Sequence, residues 1–357
     1  MNLPTSQKSL KKDEVLGRFG SVGSILSPLI AFVIALLING ILLISIGINP
    51  LEAYKAIYVG ALGSGYARIE TLVKMAPLLL AGLGVLVAFR SRLFNIGAEG
   101  QLYAGAILTA AVSLFIGPFS PWVHIPLAIL AGFIGGALWA LIPALLRARF
   151  NVSETIVSLL MNYIAIELVS YLVNGPWKDP KAVEPYTARF FDTATLPVVI
   201  PRTRLHGGIL IALVATIAVY ALIDHTVLGY KLRAAGTNPK AANYAGIDIK
   251  RTIIVSMLLS GGLAGLAGLG EVGGIWHRLI MDISPGYGYT AIVIALLGRL
   301  EPFGVLLSSF LFASLVVGAD SMQRAVGAPA AVVLIVQALV VLGVLASDFF
   351  IQRGRQT

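Results

Sequence analysis

Residues 24–47, SILSPLIAFVIALLINGILLISIG, carry no charged side chain. A helix rises about 1.5 Å per residue, so this run is long enough to cross a bilayer core of about 30 Å. It is too long for a signal-peptide core and no small-residue cleavage site follows it, so it reads as a retained first span. Further apolar segments follow at 72–89, 98–116, 123–146, 155–174, 208–223, 252–271, 288–298, 303–319 and 328–347. Together these ten segments predict an all-α polytopic membrane protein of about ten transmembrane helices. Only 12% of the 357 residues are charged, against about a quarter in soluble domains. That balance excludes a soluble enzyme or binding domain. The absence of cysteine excludes a disulfide framework, a thiolate metal site and a cysteine nucleophile.

The loops give the direction. Lys8, Lys11, Lys12, Arg90, Arg92, Arg147, Arg149, Lys231, Arg233, Lys240, Lys250 and Arg251 fall on one side, as expected of cytoplasmic segments. The net charge of +9 follows from that bias and needs no nucleic acid. The expected organisation is a cytoplasmic segment 1–23, a membrane domain 24–350 and a cytoplasmic tail 351–357, with both ends inside the cell. Two loops are long. The outer loop 175–207 is rich in proline and mixed charge, and reads equally as a docking surface or a connector. The inner loop 225–251 holds a short helix signal: Asn238 as N-cap, Pro239 at the first helical position, KAANYA, then Gly246 as the stop.

The pentapeptide LAGLG occurs at 80–84 and at 266–270, each copy read as ending a span. Each is followed by a glycine-rich polar break, FNIGAEGQ (94–101) and DISPGYGY (282–289). Five spans per half would invert one half relative to the other, an arrangement found in transporters, with broken helices lining the path.

Ionisable and amide groups inside lipid face a cavity or a partner. Asn95, Glu99 and Gln101 stand in the first break, Tyr287 and Tyr289 in the second, and Asn162 in the fifth span near Tyr163 and Glu167. Amides and a carboxylate suit a hydroxyl-rich ligand, and an aromatic suits a planar base or a sugar face. Glu99 could equally be a turn residue near a helix N-terminus, and Asn162 a helix–helix contact. Glu154, Asp224 and Asp348 lie near span ends, where water reaches them. Gly132/Gly136 and Gly261/Gly265 have the spacing of close helix packing. GLGEVG (268–273) lacks the preceding strand that a dinucleotide site needs. The histidines form no metal spacing, and no hydrolase motif or phosphate-binding P-loop appears. Any ATP would have to be bound by another chain.

The stretch ETLVKMAPLLLAGLGVLVAFRSRLFNIGAEGQLYAGA (70–106) resembles permease subunits of bacterial ABC importers, in the branch with the branched-chain amino acid and ribose permeases. FNIGAEGQL, SETIVSLLMNYIA (153–165), GTNPKAANYAGI (236–247) and SPGYGYTAIVIALLGRLEPFG (284–304) are similar to its nucleoside and simple-sugar subgroup. The resemblance implies a transport subunit with no ATPase of its own, and no cofactor in this chain, since ATP and Mg sit on a partner. It implies a cytoplasmic ATP-binding subunit, a second related permease, most often a different one, and an external substrate-binding lipoprotein. It implies that 236–247 is the coupling segment, with Gly236, Asn238, Ala241, Tyr244 and Gly246 in it, and that Asn95, Glu99 and Gln101 serve the pathway. The expected function is nucleoside import by alternating access. A simple-sugar ABC permease and an ion-coupled carrier using Glu99 or Glu167 are the alternatives.

Overall fold

The computed structural model describes residues 33–342 except 35, 330, 333, 336, 337, 340 and 341. The expected segment 1–23, most of the run 328–347, Asp348 and the tail 351–357 lie outside the described residues.

Two compact units form. The larger, Ala61–Val317, holds the predicted breaks. Its helices are α3 (Gly65–Arg90), α4 (Ala98–Phe115), α5 (Pro121–Phe150), α6 (Glu154–Asn174), α7 (Gly208–His225), α8 (Val227–Thr237), α9 (Pro239–Tyr244), α10 (Ile249–Glu271) and α11 (Tyr287–Leu297). The smaller unit takes in described residues up to Gly60 and from Gly318 onward. It contains α1 (Leu36–Ser45) and most of α2 (Pro50–Leu62), a pair bent by 119°. It also contains the end of α12 (Pro302–Val326). Its core is Leu43, Ala53, Ala319, Met322, Ala328 and Val332.

In the larger unit, α3 and α10 are central. Their most apolar windows are 83% and 72% buried, against 28%, 33% and 39% for α5, α6 and α7. Helices apolar on every face belong inside a bundle. The outer helices instead expose apolar stripes: Ile156, Leu160 and Ile164 on α6, and Leu210, Val214 and Ile217 on α7, are between 53% and 66% exposed. Water would not tolerate such stripes, but a bilayer does. Among the described residues, six helices are long and apolar enough to span a membrane, or seven if the bent pair is one span.

The glycine spacing on α5 and α10 brings backbones together. A Cβ on Gly265 would stand 2.2 Å from the Gly132 carbonyl oxygen, and one on Gly136 2.0 Å from that of Gly261. Without a hydrophobic drive between helices in lipid, such close van der Waals contact is what holds them.

Three expectations on elements are corrected. LAGLG 80–84 lies within α3 rather than at a span end. Residues 50–62, which fall outside the ten predicted spans, are helical. The inner loop contains a second helix, α8, besides α9.

Candidate functional site

α3 and α10 run antiparallel: Ser256 near the start of α10 bonds the Val87 carbonyl (3.3 Å) and the Ser91 hydroxyl (3.1 Å) at the end of α3. The first break, 91–97, therefore leaves one end of this pair. The second, 277–286, leaves the other end, where α10 widens into the π-helical turn Val272–Trp276. Both breaks run inward and meet. Glu99, in the first turn of α4, accepts the Gly288 backbone N–H through Oε2 at 2.6 Å. A Cβ on Gly288 would stand 2.1 Å from the Glu99 nitrogen, so only glycine permits this approach. A carboxylate at a helix N-terminus meets the positive end of its dipole and an unpaired donor. Ser284 completes the cap of α11, its Oγ accepting the N–H groups of Gly286 (3.1 Å) and Tyr287 (2.9 Å). With eleven residues, α11 rises about 16 Å, half a bilayer core.

Irregular backbone at membrane depth survives only if protein satisfies it. One face of α6 does this at helical spacing. Glu154 Oε1 accepts the Phe94 N–H (3.3 Å), Ser158 Oγ that of Ile96 (3.2 Å) and Asn162 Oδ1 that of Gly100 (2.8 Å). Asn162 Nδ2 also donates to the Ile96 carbonyl at 2.9 Å and to Tyr289 Oη at 3.3 Å. Asn95 Nδ2 donates to Gln101 Oε1 (3.0 Å) and Ser260 Oγ (2.9 Å), and Gln101 Nε2 returns a bond to Asn95 Oδ1 at 3.0 Å. Lys74 Nζ donates to Tyr287 Oη at 2.8 Å, joining α3 to the head of α11.

All six pathway candidates thus belong to one network. Asn95, Glu99, Gln101, Asn162 and Tyr287 are at most 2% exposed, while Tyr289 is 37% exposed. In this conformation Asn95 and Gln101 bond each other and Asn95 bonds Ser260 of α10. Of Asn95, Glu99 and Gln101, only Glu99 reaches the second break, through Gly288. Tyr163 is 61% exposed and Glu167 lies on the exposed face, so neither enters the network. Glu154 is 6% exposed and paired with Arg147 Nε at 3.3 Å, correcting its reading as a wet end residue. Sequence reasoning missed Glu154 and Ser158. Their signal was the polar i, i+4, i+8 stripe they form with Asn162 in an apolar helix.

The coupling candidates lie at the Arg90 end of α3. A Cβ on Gly236 would stand 2.4 Å from the Arg90 carbonyl oxygen, which packs the end of α8 directly on α3. Asn238 Oδ1 accepts the Ala241 N–H at 3.1 Å and caps α9. Gly246 has φ +82°, the left-handed turn glycine favours. Tyr244 is 93% exposed, a large apolar ring held in the open on a capped helix.

At the opposite end, Arg204 in the long loop pairs with Glu70 of α3 at 3.4 Å. Buried His206 accepts the Gly208 N–H through Nδ1 at 3.1 Å. Burial first, then the charges of His277 and Arg204, push its pKa down from 6.5 to about 4. The unfolded chain then binds the extra proton between these values, so stability rises with pH there. This contribution is full above about pH 6.5 and fades as pH falls toward 4, by about 3 kcal/mol in all. The melting temperature of purified protein should drop from pH 7 to pH 5. His206→Asn keeps an acceptor without the titration and should flatten that drop; an equal drop in both proteins would refute the assignment.

The family profile described as "Branched-chain amino acid transport system / permease component" matches residues 67–345. The glucose ABC transporter permease of Haloferax volcanii is 40% identical over 334 residues, 91% of this chain and 88% of its own. The guanosine ABC transporter permease NupP of Bacillus subtilis is 37% identical, over 90% and 93%. The nucleoside ABC transporter permease NupB of Lactococcus lactis is 33% identical, over 92% of each. No solved structure gives a significant match.

Proposed function

The chain belongs to the family of permease components of branched-chain amino acid transport systems, and from that membership we propose that it is the membrane-spanning subunit of an ATP-driven nucleoside importer. Family members are multi-pass transport components rather than ATPases, and act with an ATP-binding subunit and a substrate-binding protein. The proposal extends this in several respects. Ten spans form two inverted halves with both termini cytoplasmic. A second, related permease completes a heterodimer, and ATP and Mg stay on the partner. Nucleoside is preferred because two relatives from different bacteria, named as guanosine and nucleoside permeases, each match over at least 90% of this chain, and an amide, a carboxylate and aromatic rings stand together at the breaks. The 40% identity to a glucose permease keeps a sugar as the second reading.

One observation carries the mechanism: the two broken segments leave opposite ends of the bundle and meet at Glu99 and Gly288. A contact holding two half-helices end to end is a natural fulcrum for alternating access. Pushing on α9 and α8 would move the end of α3 through the contact at Gly236, and with it the first break. In this reading the aromatic that meets a base is Tyr289, which is 37% exposed.

Two results test this. Uptake should persist when a protonophore collapses the proton gradient at constant ATP, and stop when the partner ATPase is catalytically dead. Loss of uptake on adding the protonophore would favour an ion-coupled carrier. Gly246→Glu puts a charge and a Cβ at a positive-φ turn. It should abolish ATP-driven uptake while leaving the inserted protein intact; normal uptake by a well-expressed variant would remove 236–247 from coupling.

A further inference from the structure

Beside the coupling segment, at the ends of α3 and α5 and the start of α10, lies a cavity of about 840 Å³. That is within the range of small-ligand sites, about 300–1,000 Å³. Its charged lining is Arg92, Arg147, Arg149, Lys240, Lys250 and Asp248. The single carboxylate is already used, since Asp248 Oδ1 accepts the Arg251 N–H at 3.0 Å and caps α10. Arg147 is held by Glu154. Among the described residues, Arg92, Arg149, Lys240 and Lys250 enter no ion pair. These four cations are exposed, and with Asp248 beside them the lining still carries a net positive charge that favours an entering anion. Their setting indicates which kind. Phe94 and Phe150, next in the chain to lining residues Leu93 and Arg149, are 56% and 71% exposed. Aromatic rings beside cations at the ends of membrane helices mark the headgroup level, and basic pockets there hold lipid headgroups.

We propose that this cavity binds a phosphate-bearing anion, contributed by an anionic phospholipid headgroup. The bound phosphate bridges the α3 and α5 ends to Lys240 of the coupling segment and adds to the packing of Gly236 on α3. Neither the family membership nor the nucleoside reading requires this site.

The test uses the full chain in nanodiscs of phosphatidylcholine alone or with phosphatidylglycerol. Retained phosphatidylglycerol is counted by native mass spectrometry, and the melting temperature is followed. The variant is Arg92→Gln/Arg149→Gln/Lys240→Gln. These side chains are unpaired, so the fold should survive, and Lys178→Gln/Lys181→Gln/Arg202→Gln in the exposed loop is the charge-matched control. Wild type and control should retain phosphatidylglycerol and melt higher with it. Each cavity cation removed should weaken retention by roughly fivefold. Millimolar inorganic phosphate added to phosphatidylcholine discs separates the sources. No shift supports the headgroup, whereas a shift that the variant lacks supports the phosphate site but assigns it to a soluble anion. Equal retention and melting in wild type and variant would overturn the proposal. If that result came with loss of the ATP-binding subunit from the purified complex, the cavity would be a protein-docking surface instead.

Discussion

Gly265→Leu is expected to leave almost no folded protein in the membrane. The position is a helix-on-helix contact with no slack: the first side-chain atom would stand 2.2 Å from the Gly132 carbonyl oxygen and 2.9 Å from the Gly136 nitrogen. Those are backbone atoms of α5, so no rotamer change relieves the clash. α5 must move away, and with it the packing of Gly261 and Gly268, the latter against Leu102 of α4. Overpacking a tight site costs about 1–3 kcal/mol where side chains can adjust; a backbone clash on the central helix should exceed that range. α10 carries Ser260, which bonds Asn95, so the damage reaches the network as well. Gly65→Leu is the control, because nothing lies within 4 Å of its Cβ position. Fluorescence-detected size exclusion of solubilised membranes should show a normal monodisperse peak for Gly65→Leu and an aggregate or no peak for Gly265→Leu. A normal peak for both would mean that α5 and α10 do not pack through these glycines.

Glu99→Ala is expected to lower the maximal uptake rate at least tenfold. The change removes the acceptor of the Gly288 N–H and leaves that donor buried. A bond to a charged group contributes about 1.5–3 kcal/mol, and every 1.4 kcal/mol is tenfold in an equilibrium. Glu99→Gln keeps the shape and an oxygen acceptor while losing the charge at the helix N-terminus. Its uptake should fall between wild type and Glu99→Ala, with the same surface abundance. A variant in which the apparent affinity changes while the maximal rate does not would instead make Glu99 a ligand contact. Equal uptake by all three proteins would remove it from the mechanism.

The spans at 72–89, 123–146, 155–174, 208–223, 252–271 and 303–319, both breaks and the cap of α9 were legible because each is a local pattern. Apolar runs mark spans, glycine with amides marks irregular backbone, and Asn-Pro followed by helix formers marks a helix start. α2 and α8 were missed because hydropathy finds long apolar runs. Lys55 with Glu52 in α2, and Lys231 with Arg233 in α8, made short helices look like loop. Thr226, whose Oγ1 accepts the Gly229 N–H at 3.1 Å, was an available start signal for α8. The site was legible as a set of residues but not as an arrangement. The bond from Gly288 to Glu99 joins positions 189 apart in the chain, and no periodicity encodes such a pairing. For the same reason the partners of Asn95, Glu99 and Gln101, which are Ser260, Gly288 and each other, could not be read from the sequence.

The central claim is that this chain carries nucleosides inward as part of an ATP-driven importer, and competition uptake tests it most directly. Cells lacking the chain, and the same cells with it restored, are given labelled guanosine and labelled glucose at equal concentration. Guanosine uptake should disappear on removal and return on restoration, unlabelled nucleosides should compete, and glucose uptake should not change. Guanosine uptake that persists without the chain, with glucose uptake lost and restored in its place, would contradict the nucleoside assignment and leave a sugar permease.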